Sequence, residues 1–345
     1  MALSRRITVL VVAMLTLLVA VPLAAQPVKL VAESYNVPAR DPGIQLHVRN
    51  KRPEGMTQFS AEKTLLYVHG ASQAASSTFD LALDGISWMD YIAQRGYDVY
   101  LVDLRGYGGS TRPPEMERPA AENPPIVRTD VAVKDVEAAV DHILARRGLT
   151  KLNLMGWSWG TAIMGRYATQ SSDKVNRLVL YAPPWTSEAP TTGSQAPLGA
   201  YQTWTMEQAR SRLQIGAPEE KKKDLMPDAW FEKWSAAALA TDPVGAKQTP
   251  PVVRTPNGTV QDTREYWLAG RALWEPSGIK APTLIVVGEW DAGTPVAGAQ
   301  AVFGKLSNAP YKRLVQIGKG THIIFIEKNR MHLLREVQLF LDEER

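Results

Sequence analysis

The 345-residue chain contains no cysteine. Disulfide scaffolding, thiol nucleophiles and most soft-metal sites are thereby excluded, and a chain of this length buries a large enough core to fold without them. Histidine is scarce: there are five, His47, His69, His142, His322 and His332. They are scattered and share no spacing with an Asp or Glu cluster, so no metal constellation is visible and no cofactor is implied. An excess of one charge sign is lacking too. Lys and Arg total 39 against 35 Asp and Glu, a formal charge of +4, and Arg5 and Arg6 supply two of those charges in a segment set apart below. What remains is too small to argue for a nucleic-acid partner. The only basic run, Lys221 to Lys223, is flanked by Glu219, Glu220 and Asp224 and is expected to be a solvated loop.

Long apolar runs are missing too, with one exception at the start. Arg5 and Arg6 precede a run from Ile7 to Val21 broken only by Thr8 and Thr16, and Pro22-Leu23-Ala24-Ala25 then leads to Gln26. A basic n-region, an apolar h-region and a small-residue cleavage site read as a signal peptide over residues 1–25. The run is shorter than the ~20 residues that span a bilayer, which favours cleavage over a retained anchor. No cysteine follows it, so lipid anchoring through a lipobox is excluded. The expected product is secreted or periplasmic, with no stable membrane insertion once the signal is removed.

What is present is an alternation of strands and helices. Two runs that alternate apolar and polar residues, Lys29 to Tyr35 and Ile44 to Asn50, read as opening edge strands, antiparallel to each other. Continuous apolar strands follow at Thr64 to Val68, Val99 to Val102, Leu152 to Met155, Arg177 to Tyr181, Thr283 to Val287 and Arg313 to Ile317. Between them, Ser87 to Arg95, Asp130 to Arg147, Val296 to Lys305 and a closing segment with Met331, Leu334, Val337 and Leu341 on one face read as helices. This predicts an α/β fold: a mostly parallel eight-stranded sheet covered on both faces, with ligands bound outside the carboxyl ends of the strands.

The alternation stops from Pro183 to about Pro282, a segment that carries six of the ten tryptophans. Three helices are expected there, around Met206 to Leu213, Asp228 to Ala240 and Asp262 to Trp274, the last opened by Asp262 and Glu265 as a capping box. The expected organisation is a core of residues 26–182 and 283–345, with residues 183–282 as a helical cap over the strand ends. Most of the tryptophans then form the cap's own core, and one or two face a substrate pocket.

Chemistry is concentrated at four strand ends. Gly156-Trp157-Ser158-Trp159-Gly160 joins a strand to a small-residue helix, the setting of a nucleophile elbow in which a sharp turn presents the Ser158 hydroxyl. The strand ending at Val68 runs into His69-Gly70-Ala71-Ser72, Asp291 follows the penultimate strand, and His322 follows the last.

Together these residues resemble the α/β-hydrolase superfamily over nearly all of the chain after residue 25. The elbow, the His-Gly turn, Asp103-Leu-Arg105-Gly-Tyr-Gly-Gly-Ser110 and Gly288-x-x-Asp291-x-x-x-Pro295 match its segments, and Ser, Asp, His is its chain order. The resemblance implies a triad of Ser158, Asp291 and His322. His322 would take the serine proton, Asp291 would hold the imidazole tautomer, and the backbone N–H groups of Trp159 and Ala71 would form the oxyanion hole. Among the competitors, Glu289 fits the acid position less well than Asp291. His69 belongs to the turn shaping the oxyanion loop, and Arg105 reads as a loop brace.

A serine at position 158 argues against the dehalogenase and epoxide-hydrolase branches, where aspartate is expected. The first expectation is a serine hydrolase acting on a small-molecule carboxylic ester or lactone through an acyl-enzyme intermediate. The alternatives are a peptidase or amidase of the proline-iminopeptidase type, a cofactor-free perhydrolase or haloperoxidase, and a ligand receptor that keeps a slow triad.

Overall fold

The computed structural model describes residues 28–344 apart from 188, 192, 193 and 195. The expected signal peptide, residues 1–25, lies outside the described residues. Eight strands form one sheet: β1 (Leu30–Pro38), β2 (Gln45–Pro53), β3 (Thr64–Val68), β4 (Asp98–Val102), β5 (Leu152–Trp157), β6 (Val175–Tyr181), β9 (Thr283–Gly288) and β10 (Lys312–Ile317). Their order is β1-β2-β4-β3-β5-β6-β9-β10. Strand β2 is antiparallel to β1 and to β4, and every other pairing is parallel.

The sequence pattern explains why. Strands β3, β4, β5 and β9 are buried at every residue, so their side chains meet apolar neighbours on both faces and need no polar alternation. Alternate residues feed two separate clusters. Leu66, Val68, Leu154, Leu180 and Ile285 pack with helices α3 (Thr129–Arg147), α4 (Trp159–Gln170) and α9 (Val296–Lys305). Leu65, Tyr67, Met155, Val179 and Val286 pack against α2 (Trp88–Ala93) and α10 (Arg330–Asp342). The short α1 (Ala75–Thr78) follows β3. A Ser87–Asp90 capping box opens α2. Helix α3 ends at Gly148, whose left-handed φ of 65° lets its N–H reach the Leu144 carbonyl.

The segment between β6 and β9 holds helices α5 (Met206–Leu213), α6 (Glu219–Leu225), α7 (Asp228–Ala240) and α8 (Gly258–Asp262). It also holds a two-stranded antiparallel ribbon of β7 (Tyr201–Trp204) and β8 (Val253–Pro256). Two expectations need correction here, and one feature is additional. Lys221 to Lys223 lie on α6 rather than in a loop; only Leu225 of that helix is buried, so its charges face water without marking it as irregular. The ribbon was not foreseen, because neither strand exceeds four residues. The third helix begins at Gly258, not Asp262, and passes into a π-helical turn over Thr263–Trp267. Asp262 therefore does not cap it; its carboxylate accepts hydrogen bonds from the Thr129 N–H at 2.8 Å and the Thr129 hydroxyl at 2.6 Å.

The tryptophans divide by neighbour. Trp234 is fully buried, whereas Trp274 packs on α4 of the core, where a Cβ added at Gly165 would come within 2.7 Å of its indole. Among the described residues, no helix is long and apolar enough to cross a membrane.

Candidate active site

The elbow is built by close approach of backbone to backbone. A Cβ at Gly156 would lie 2.4 Å from the Gly160 carbonyl oxygen, and one at Gly160 would lie 2.5 Å from that of Val68. Only glycine fits at either position, and the chain can then turn from β5 into α4 within two residues. Ser158 at the apex has φ 54° and ψ −122°, a strained conformation for a residue with a side chain. Its N–H is fixed by a 2.8 Å hydrogen bond to the Tyr181 carbonyl.

Around that hydroxyl the other predicted residues converge. His322 Nε2 lies 2.8 Å from Ser158 Oγ, and His322 Nδ1 lies 2.7 Å from Asp291 Oδ2. The ring thus bridges serine and carboxylate through its two nitrogens, 164 residues from one partner and 31 from the other. The His322 carbonyl accepts from both Trp157 Nε1 and the Tyr181 hydroxyl at 2.9 Å, so its backbone is held as firmly as its ring.

Asp291 is buried and keeps its charge because it is fully hydrogen-bonded. Burial works to raise its pKa, but His322 and two hydrogen bonds from Thr294 outweigh this and hold it below the usual aspartate value. The Thr294 N–H donates to Oδ1 at 2.8 Å and its hydroxyl to Oδ2 at 2.6 Å. Sequence reasoning missed Thr294; the Asp-x-x-Thr spacing, in which a carboxylate accepts from the backbone a few residues on, was the available signal. Glu289 points elsewhere, its carboxylate accepting the Lys319 N–H at 2.7 Å.

Ala71 and Trp159 line the same cavity as Ser158 and His322. The Trp159 N–H is the first of α4 and has no partner within the helix. Gly70 allows the Ala71 turn to lie this close, since a Cβ there would come within 3.1 Å of Ser158 Cβ. His69 is not at the nucleophile: its Nδ1 lies 2.7 Å from the Gly70 carbonyl and its Nε2 accepts the Leu104 N–H at 3.1 Å. Full burial keeps its pKa below the usual histidine value despite nearby Asp103, so a neutral ring links the two loops. Arg105 braces as expected, in a forked buried pair with Asp135 and a 2.6 Å contact to Asp41. Two of the remaining histidines sit away from the serine: Tyr35 packs on His142, and Gly109 on His47.

The cavity measures about 210 Å³. Core residues form its floor, and Arg212, Leu213, Ile215, Thr259, Thr263 and Trp267, all from the segment between β6 and β9, complete its wall. A larger concavity of about 520 Å³ lies beside His47 and Arg112 and shares no residue with the serine site.

A family model described as the α/β hydrolase fold matches residues 63–329. The chain belongs to this family. The α/β-hydrolase fold is shared by solved structures at low identity. An esterase from Thermogutta terrifontis is 16% identical, covers 90% of this chain and 98% of its own, with a TM-score of 0.58. A meta-cleavage product hydrolase from Pseudomonas fluorescens is 17% identical (89% and 97% covered, TM-score 0.60). An enol-lactonase from Burkholderia xenovorans is 14% identical (90% and 100% covered, TM-score 0.59). No curated protein matches the chain by sequence. At these identities the likeness is one of α/β-hydrolase fold.

Proposed function

We propose that this α/β hydrolase is a serine hydrolase that cleaves a carboxylic ester or lactone of a small molecule through an acyl-enzyme. The observation that carries this reading is the unbroken line from Ser158 Oγ through His322 to Asp291, at 2.8 and 2.7 Å, opening onto one cavity. In the reaction, Ser158 Oγ attacks the carbonyl carbon as its proton passes to His322 Nε2. Asp291, kept ionised, stabilises the imidazolium without taking the proton. Charge developing on the carbonyl oxygen meets the N–H groups of Ala71 and Trp159. His322 then protonates the departing alkoxide, and a water deprotonated by the same nitrogen releases the acid and restores the serine. The cavity volume lies below the ~300–1,000 Å³ common for drug-sized ligands, which favours a short substrate.

A small fluorophosphonate is expected to label Ser158 alone, and Ser158→Ala or His322→Ala to abolish nearly all turnover of a short methyl ester. Asp291→Asn should fold normally yet lose on the order of 10⁴ in kcat, since its amide presents the wrong hydrogen-bond pattern to Nδ1. Retained hydrolysis in Ser158→Ala would overturn the reading.

We also infer export, supported by the basic and then apolar pattern of residues 1–25. Amino-terminal sequencing of the enzyme from the host's extracytoplasmic fraction should begin at or near Gln26; an intact Met1 there would refute cleavage.

A further inference from the structure

One charged side chain in the cavity wall takes no part in the mechanism above. Arg212, in the last turn of α5, lines the same cavity as Ser158 and His322. None of the other residues lining it carries a carboxylate. Arg212 is open to solvent, yet protein atoms crowd around it, and the partial loss of hydration draws its pKa below the usual arginine value. Where other arginines are perturbed, acids contribute: Arg105 has Asp135 and Asp41, Arg128 has Asp262 and Glu265, and Arg112 has Asp242 nearby. Among the described residues Arg212 has no such partner. A cation that faces the cavity beside the nucleophile with no acidic partner keeps its donors free for an anion entering that cavity.

The surroundings hold the guanidinium at the cavity. Its Cζ lies over the Trp204 ring, 5.2 Å from the centroid, and Trp204 Nε1 donates to Thr255 Oγ1 across the ribbon at 3.2 Å. A cation–π contact uses none of the guanidinium's N–H donors in a conventional hydrogen bond to an acceptor, so they stay available to a ligand. The chain just beyond α5 is seated on the loop that carries the acid: the Ala292 N–H donates to the Ile215 carbonyl at 3.2 Å, and a Cβ at Gly216 would lie 2.3 Å from the Trp290 carbonyl oxygen. The position of Arg212 is thereby tied to Asp291 and through it to His322.

We propose that Arg212 is a specificity-determining residue that binds a carboxylate on the substrate, so that the preferred substrates are short esters or lactones bearing a second, ionised carboxyl group. The assignment rests on the hydrolase reading and names the substrate class for that site. Planar forked N–H donors match a carboxylate, and the small cavity places both ends of a short dicarboxylic half-ester within one enclosure.

The test compares monomethyl glutarate with methyl pentanoate by methanol release, in the wild type, Arg212→Gln, Arg212→Lys and a control, Arg210→Gln. Arg210 carries the same charge on the same helix but pairs with Glu207 at 2.7 Å. The wild type should favour the anionic ester, and Arg212→Gln should lower the ratio of the two kcat/KM values by roughly 10- to 100-fold, mostly through KM. Arg212→Lys should keep part of the preference, and Arg210→Gln should leave the ratio as it was. An equal loss on both esters in Arg212→Gln, or the same change of ratio in Arg210→Gln, overturns the assignment. Calorimetric titration with glutarate reads the same site without turnover. Binding to the wild type that weakens at least tenfold in Arg212→Gln supports the assignment, and equal or absent binding overturns it. If Ser158→Ala still hydrolyses both esters, the hydrolase reading itself has failed; if it is inert while the ratio ignores Arg212, only the carboxylate assignment falls.

Discussion

Glu327 is fully buried three residues before α10, in the loop that presents His322. Both its oxygens face Thr321, one accepting from the hydroxyl and the other from the N–H at 3.2 Å. No cation is among the influences on it; burial pushes its pKa up to about 7, with Asp291 adding to the rise and the Thr321 hydrogen bonds opposing it. In the unfolded chain a glutamate titrates near ~4.3. The folded protein therefore binds this proton more tightly, so the stabilisation is fully present below the unfolded value and is lost as pH rises toward 7. The loss is on the order of 3 kcal/mol for a shift of this size. Glu327→Gln mimics the neutral acid and can keep one bond to each Thr321 group. Its melting temperature should equal that of the wild type near pH 4.5 and exceed it above pH 7. Parallel melting curves across that range for the two proteins would show instead that Glu327 is not held protonated.

The element that makes the site possible is the β5–α4 turn, and its glycines yield a prediction of opposite signs. Gly160→Ala places a methyl against the Val68 carbonyl, where backbone and not a flexible side chain must move, so it should cost at least ~1–3 kcal/mol and displace the hydroxyl. Gly304, on α9, has nothing within 4 Å of an added Cβ and an ordinary backbone conformation. Gly304→Ala should stabilise by ~0.5–1 kcal/mol in denaturant unfolding. Similar effects at the two sites would refute the steric account of the elbow. The turn was legible in the sequence because it demands glycine twice and a strand before it. The sheet was legible for a related reason: buried parallel strands such as Thr64–Val68 and Thr283–Gly288 have to be continuously apolar. Elsewhere local pattern competed with tertiary partners and lost. Asp262 and Glu265 are spaced as a cap, yet Asp262 serves Thr129 and Arg128 from another part of the chain, and nothing near it in sequence says so. Thr294 and Glu327 were overlooked because their importance comes from what the fold sets beside them, His322 in one case and a buried Thr321 in the other.

Across the whole molecule, one polar chain joins the segment between β6 and β9 to the elbow. Asp262 accepts from Arg128 Nε at 2.7 Å and from both donors of Thr129, and the Thr129 hydroxyl in turn accepts from Trp159 Nε1 at 2.8 Å. Trp159 is the residue whose N–H is assigned to the oxyanion hole, so the carboxylate steadies a donor from the far side of its own side chain. Removing it leaves the Thr129 donors buried without their acceptor and strips Arg128 of one of two partners. Asp262→Ala should therefore destabilise the protein by about 3 kcal/mol, near the lower bound for breaking a buried pair, since Arg128 keeps Glu265 and some contact with water. Asp262→Asn retains an acceptor for Thr129 and should lose less. If the chain positions the oxyanion donor, kcat per folded molecule in Asp262→Ala should also fall, by roughly tenfold, because small misplacements of a catalytic group are expensive. Urea unfolding and ester turnover on the same preparations separate the two effects. A protein that loses the stability but keeps its full kcat would show that the chain only ties the inserted segment down, and that Trp159 is held in place by packing alone.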